Sequence, residues 1–132
     1  SNYRAILSDG INRVACSTAD CAGATGVEQS IDWPLFPGRS YVRADGTTAI
    51  GMTGSVALLP ASLTNPTATG GGQVWTGLNA DWTSSSNSCG GWLDSDSGSS
   101  GMRGTQNSAT AAAWSNGINS CNAPRSIYCV EQ

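Results

Sequence analysis

Gln73-Val74-Trp75-Thr76-Gly77-Leu78-Asn79 opens the stretch that sets the architecture. It runs on through Cys89-Gly90-Gly91-Trp92 to Cys121 and closes on Ser126-Ile127-Tyr128-Cys129-Val130. Four of the five Trp and three of the five Cys fall inside it. The segment between its ends, Asn79 to Asn119, is polar and too poor in aliphatics to pack alone. It needs a covalent staple and a few large anchors. Cys89 with Cys121 is the evident staple, and Trp75, Trp82, Trp92 and Trp114 are the anchors. Closing that loop is worth roughly 3–4 kcal/mol in a chain-entropy model. A segment held in this way can carry a binding surface without being core.

A chain of 132 residues is one domain by size. Only 11% of it is charged, against about 25% in an average domain. There is no Lys and no His, and Ser, Thr, Asn and Gly supply the polarity. That composition points to a secreted or cell-surface protein. The net charge of −3 and the lack of a basic cluster argue against nucleic acid, polyanions and anionic membranes. No apolar run approaches the length of a membrane span. No signal-peptide pattern is present in Ser1 to Asp9. The cysteines are odd in number. Cys16 and Cys21 flank Ser17-Thr18-Ala19-Asp20 and suit a small local loop, which leaves Cys129 over. The spacing is C-x4-C and singletons with no His, which favours disulfides, and so an oxidising compartment, over zinc.

In chain order, Tyr3 to Ser8 reads as a strand ending in an Asp9-Gly10 turn, with a short continuation over Ile11 to Ala15. Arg39 to Ala44 alternates polar and apolar and leads into Asp45-Gly46, a hairpin with Thr47 to Met52 as its return. Gln73 to Leu78 and Ser126 to Glu131 are strands, and Asn79 to Gly104 is mostly loop. Ala109 to Trp114 fits a single turn or a short strand. The fold class is therefore α+β and mostly β, with short antiparallel strands, long polar loops and little helix.

Several runs resemble a known family. Tyr3-Arg4-Ala5-Ile6-Leu7-Ser8, Pro37-Gly38-Arg39-Ser40-Tyr41, Val74-Trp75-Thr76-Gly77 and Tyr128-Cys129-Val130-Glu131 follow the order seen in endostatin. Arg13 to Cys21, Glu28 to Trp33, Tyr41 to Thr48 and Trp75 to Thr83 look more like the endostatin-like domains of bacterial surface lipoproteins, including those of spirochaetes. The resemblance covers nearly the whole chain and implies a C-type lectin-like fold. It also implies a Cys89–Cys121 pair, and a partner for Cys129 in a helix upstream of Ser1. Ser1-Asn2 lies directly at the first strand, so either that helix precedes Ser1 or the protein has dropped it. In both cases Cys129 is expected to be a buried free thiol within residues 1–132. Residues 1–132 then form one domain, expected to be the C-terminal part of a longer exported protein.

Catalysis finds little support. Without His or Lys the usual base for a Ser or Cys nucleophile is missing. Asp94 and Asp96 are a close carboxylate pair, but in a Gly/Ser loop such a pair reads as a turn. Their spacing also suits calcium, yet no Glu closes an EF-hand loop. The Glu-Pro-Asn, Gln-Pro-Asp and Trp-Asn-Asp runs of sugar-binding C-type lectins do not occur, so no cofactor is expected, with calcium the alternative. Trp75 and Trp92 read as core. Trp82 and Trp114 read either as core or as exposed rings. An exposed Trp82 flanked by Asn79, Asp81 and Thr83 would suit a sugar. Arg103 reads either as a ligand contact or as a salt bridge to Asp94 or Asp96. The expected ligand set is Asn79, Asp81, Trp82, Asp94, Asp96 and Arg103. The expected function is non-enzymatic recognition or adhesion outside the cell, of a glycan or a surface protein. A trimeric fibre tip on an upstream stalk and a purely structural surface module are the alternatives.

Overall fold

Antiparallel pairing joins the two ends of the chain. Strand β1 (Tyr3–Ile6) runs against the last strand, β7 (Tyr128–Glu131), in the register Tyr3↔Glu131 to Ile6↔Tyr128. This computed structural model describes all residues, Ser1–Gln132. Strands β2 (Ser40–Val42) and β3 (Ala49–Met52) form a second two-stranded sheet. Asp45 makes their turn. It accepts the N–H groups of Thr47 and Thr48 at 2.8 Å each and the Thr48 hydroxyl at 2.5 Å, and Gly46 supplies the positive φ of +77°. The Thr48 hydroxyl, helped by the two N–H groups, holds the Asp45 carboxyl down at about 2.

The third sheet is the largest, with β4 (Gln73–Trp75), β5 (Ser100–Thr105) and β6 (Ile118–Ser120) in that order. A parallel bridge from Val74 to Ser126 ties it to the approach of β7. Here the chain departs from its sequence pattern, because β5 lies inside the segment expected to be loop. Its sequence, Ser-Gly-Met-Arg-Gly-Thr, shows no alternation. The glycines are placed by close approach instead. A Cβ at Gly104 would lie 2.0 Å from the Ala113 carbonyl oxygen, and one at Gly101 would lie 2.7 Å from Cys89 Sγ. Helix is confined to short pieces at Ala19–Cys21, Cys89–Trp92 and Ala111–Ala113. None is long and apolar enough to cross a membrane. The fold is mostly β, in small antiparallel sheets.

The core is aromatic. Trp82 stacks on Trp114 with centroids 4.1 Å apart at 24°, and Trp33 meets Trp82 edge-on at 6.0 Å. Leu35, Ile50, Leu58, Leu63 and Leu78 close around them. Two of the three indole N–H groups are bonded within the protein, Trp33 donating to Ala57 O and Trp114 to Ala80 O, each at 3.2 Å. Trp75 and Trp92 form a second, tilted pair at 5.7 Å. Two disulfides are present, Cys16–Cys21 and Cys89–Cys121. Cys129 is free, but it is exposed rather than buried. On β7 the half-buried residues are Tyr128 and Val130, so strand alternation turns Cys129 outward.

Candidate functional site

The segment after β4 folds into two tight turns, each built by its own side chains. In the first, Leu78 bridges back to Ser84, and the Asn79 N–H donates to Thr83 O at 2.9 Å. The Asn79 amide donates to Thr83 Oγ1 and to Ser84 O. Asp81 accepts the Thr83 hydroxyl at 2.5 Å and the Thr83 N–H at 3.1 Å. The hydroxyl first, then the N–H, hold the Asp81 carboxyl below the usual carboxylate range. These bonds carry Trp82 through a left-handed φ of +67° and drive its ring inward, where it is 3% exposed. Trp82 is therefore not an exposed platform for a sugar. Asn79 and Asp81 engage the turn that buries it. The local pattern Asn-x-Asp-Trp-Thr is a turn motif feeding the core.

The second turn is more unusual. Cys89, Gly90, Gly91 and Trp92 all have positive φ, at 50°, 61°, 72° and 66°. Trp92 N–H donates to Ser88 O at 2.7 Å and Leu93 N–H to Cys89 O at 3.1 Å, so this is one turn of left-handed helix. The paired glycines adopt it freely, while Cys89 and Trp92 each bear about 1–2 kcal/mol of strain. Three attachments hold it: the Cys89–Cys121 bond, the Trp92 indole N–H on Ser8 O at 2.8 Å, and the Ser88 hydroxyl, which accepts the Gly91 N–H. Leu93, directly after, is 93% exposed. Such overdetermined strain concentrates at functional positions.

Beyond Leu93, Asp94 accepts the Asp96 N–H at 2.8 Å and the Ser99 hydroxyl. The Ser99 hydroxyl, then the Asp96 N–H, lower the Asp94 carboxyl below the usual range. Asp96 is exposed at the tip. No three His, Cys, Asp or Glu side chains come together as a group that could hold a metal. Asp45, Asp81 and Asp94 all favour the charged form in the fold. Their stabilisation is complete above the unfolded carboxylate value of about 4 and is lost as pH falls below it. A thermal series from pH 6 to pH 2 should thus show a flat melting midpoint down to about 4 and a decline below it. Asp94→Asn should make that decline shallower. An equally steep decline in the variant would remove Asp94 from the balance.

Arg103 stands opposite Trp75 in the β4–β5 register. No salt bridge joins it to Asp94 or Asp96; the ion pairs present are Arg4–Asp32 and Arg13–Asp32. Its Nε and Nη1 are enclosed with no acceptor. The third nitrogen, Nη2, lies beside Gly117, where a Cβ would sit 3.6 Å away. From Ser97 to Val130 the chain has no carboxylate at all. The six expected ligand residues thus divide among a core-feeding turn (Asn79, Asp81, Trp82), an exposed turn (Asp94, Asp96) and β5 (Arg103). Sequence reasoning missed Leu93, Ser99 and the left-handed turn. Gly90-Gly91 after Cys89 was the signal for the turn, and nothing local marked Leu93.

The sequence model of a family described as "Protein of unknown function (DUF1554)" matches residues 1–109. No curated protein matches the chain, and no solved structure does. By the extent of the family match, the chain belongs to the DUF1554 family.

Proposed function

We propose that the chain is a non-enzymatic recognition domain with a C-type lectin-like, endostatin-like fold, working outside the cell on a glycan or a surface protein. The observation that carries this reading is Arg103, a guanidinium with two enclosed nitrogens and no acceptor in the protein. Those two nitrogens are shielded, so a ligand meets the guanidinium at Nη2, and an acceptor there recovers part of the cost of burying an unpaired charge. The neighbouring turn supports the same reading. It is fixed by a disulfide and by Trp92, so binding does not have to order it. Leu93 and Asp96 stand out from it as an apolar anchor and a polar neighbour. The lack of His and Lys supports a binding role over a catalytic one. The proposed contacts become Leu93, Asp96 and Arg103, while Trp82, Asn79 and Asp81 serve the core instead.

The test is a glycan array and a panel of purified surface proteins, probed with the parent, Leu93→Ala and Arg103→Ala. Arg is enriched among the residues that dominate measured interfaces, so Arg103→Ala should weaken binding by about tenfold or more, and Leu93→Ala by less. Both variants should melt within a few degrees of the parent. A parent that binds nothing on either panel, or variants that bind as well as the parent, would refute the proposal.

A further inference from the structure

A second site lies away from the loop surface. Where the β1–β7 sheet, the β2–β3 hairpin and the aromatic core converge, they fail to close and leave a cavity of about 230 Å³. Leu35, Ile50 and Leu63 wall it, with Trp82 and Trp114 behind them. Protein interiors rarely leave gaps larger than a water molecule, and atoms lining a void lack contact partners on one side. Apolar cavities of this kind stay dry and take apolar ligands.

The lining is not uniformly apolar, and the exceptions identify the occupant. Fifteen of the 18 lining residues are hydrophobic, none is Asp or Glu, and the one charged residue is Arg43. Val42, Ala44 and Cys129 are exposed, which places the mouth beside Arg43. Arg43 Nε donates to Pro66 O at 2.7 Å, which fixes the guanidinium. No carboxylate pairs with it. Asp45, close by in sequence, is engaged by Thr47 and Thr48. The other polar wall groups are largely satisfied. Tyr128 donates its hydroxyl to Ala113 O at 2.8 Å, Thr67 to Gln106 O at 3.0 Å, and the Tyr41 hydroxyl accepts the Phe36 N–H at 2.8 Å, leaving the Gln106 amide and the Tyr41 O–H as neutral donors. An apolar hole with one cation at its mouth and no anion is complementary to an apolar acid.

We propose that this cavity binds a small monocarboxylic acid, its apolar part against Trp82 and Trp114 and its carboxylate on Arg43. A 150 Å³ cavity holds a six-carbon ring, so by proportion this one holds about nine carbons. The occupant is a medium-chain fatty acid or an arylalkanoic acid, not a long lipid. The site is separate from Arg103 and stands or falls independently of the glycan or protein ligand.

Octanoate and octan-1-ol, which share a chain and differ in charge, are the probes. Each is titrated into the chain while Trp emission and the melting midpoint are followed. Octanoate should shift the emission saturably and raise the midpoint. Octanol should bind about tenfold more weakly, because it lacks the charge-assisted hydrogen bond. Arg43→Gln should bring octanoate down to the level of octanol. Ala44→Trp, at an exposed position on the mouth, should fold normally and block both. No saturable response to octanoate overturns the proposal, as does an octanoate affinity that neither variant changes. A dimer in solution that ignores octanoate gives the mouth to a second copy of the chain, and also overturns it.

Discussion

Trp82→Ala is expected to destabilise the chain by about 3–5 kcal/mol, the range for removing a large aromatic from a core. For a domain of this size that is a fall in melting midpoint of roughly 10–20 °C. The reason is contact on both sides of one ring. Trp82 is 3% exposed, stacked on Trp114 at 4.1 Å and met edge-on by Trp33 at 6.0 Å. Its truncation removes the middle of a three-ring stack and widens a cavity that its ring already lines. One effect runs the other way. Trp82 sits at φ +67°, so the variant Trp82→Gly gains back some backbone freedom that Trp82→Ala does not. The two variants should therefore lie closer together in stability than an Ala–Gly pair usually does. Thermal melts followed by near-ultraviolet circular dichroism decide the matter. A Trp82→Ala variant that melts with the parent would mean the ring faces solvent, and the core as described would be wrong.

What could be read in the sequence follows from how local each signal is. The terminal strands were visible because Tyr3–Ile6 and Tyr128–Glu131 are rich in aromatic and branched residues. The β2–β3 hairpin was visible because Asp45-Gly46 makes its turn with its own side chain and its own φ. The Cys16–Cys21 loop was visible in the cysteine spacing, and the Cys89–Cys121 pair in the polar segment that needs a staple and in the family resemblance. Strand β5 was not visible, because Gly101 and Gly104 are there for what lies across from them, the disulfide sulfur and the Ala113 carbonyl. No window of sequence holds that information. The same holds for the site. A Trp in a polar turn has two readings, and only the side-chain bonds of Asn79 and Asp81 to Thr83 choose between them. The assignment to an endostatin-like fold belongs with the function as a proposal, since the small antiparallel sheets are common to many mostly-β domains.

Removing the Cys89–Cys121 bond is expected to cost about 3–4 kcal/mol, against about 2 kcal/mol for Cys16–Cys21, in a chain-entropy account. The difference follows from sequence separations of 32 and 5. A second consequence is local and does not follow from loop length. The left-handed turn keeps Cys89 at φ +50° and Trp92 at φ +66°, and the disulfide is one of its anchors. With the bond gone, that strain is free to relax. Trp92 would then leave Ser8 O, and Leu93 and Asp96 would lose the frame that presents them. Cys89→Ala/Cys121→Ala should therefore lose ligand binding at temperatures where the chain is still folded. Cys16→Ala/Cys21→Ala should lose some stability and keep binding. Calorimetry gives the first comparison, and hydrogen exchange at the Trp92 and Leu93 amides gives the second. Fast exchange there in a variant whose β4 and β5 amides stay protected would show the turn opening on its own. Equal stability losses from the two pairs, or protected turn amides without the bond, would mean that packing against Trp75 holds the turn and that the disulfide is incidental to it.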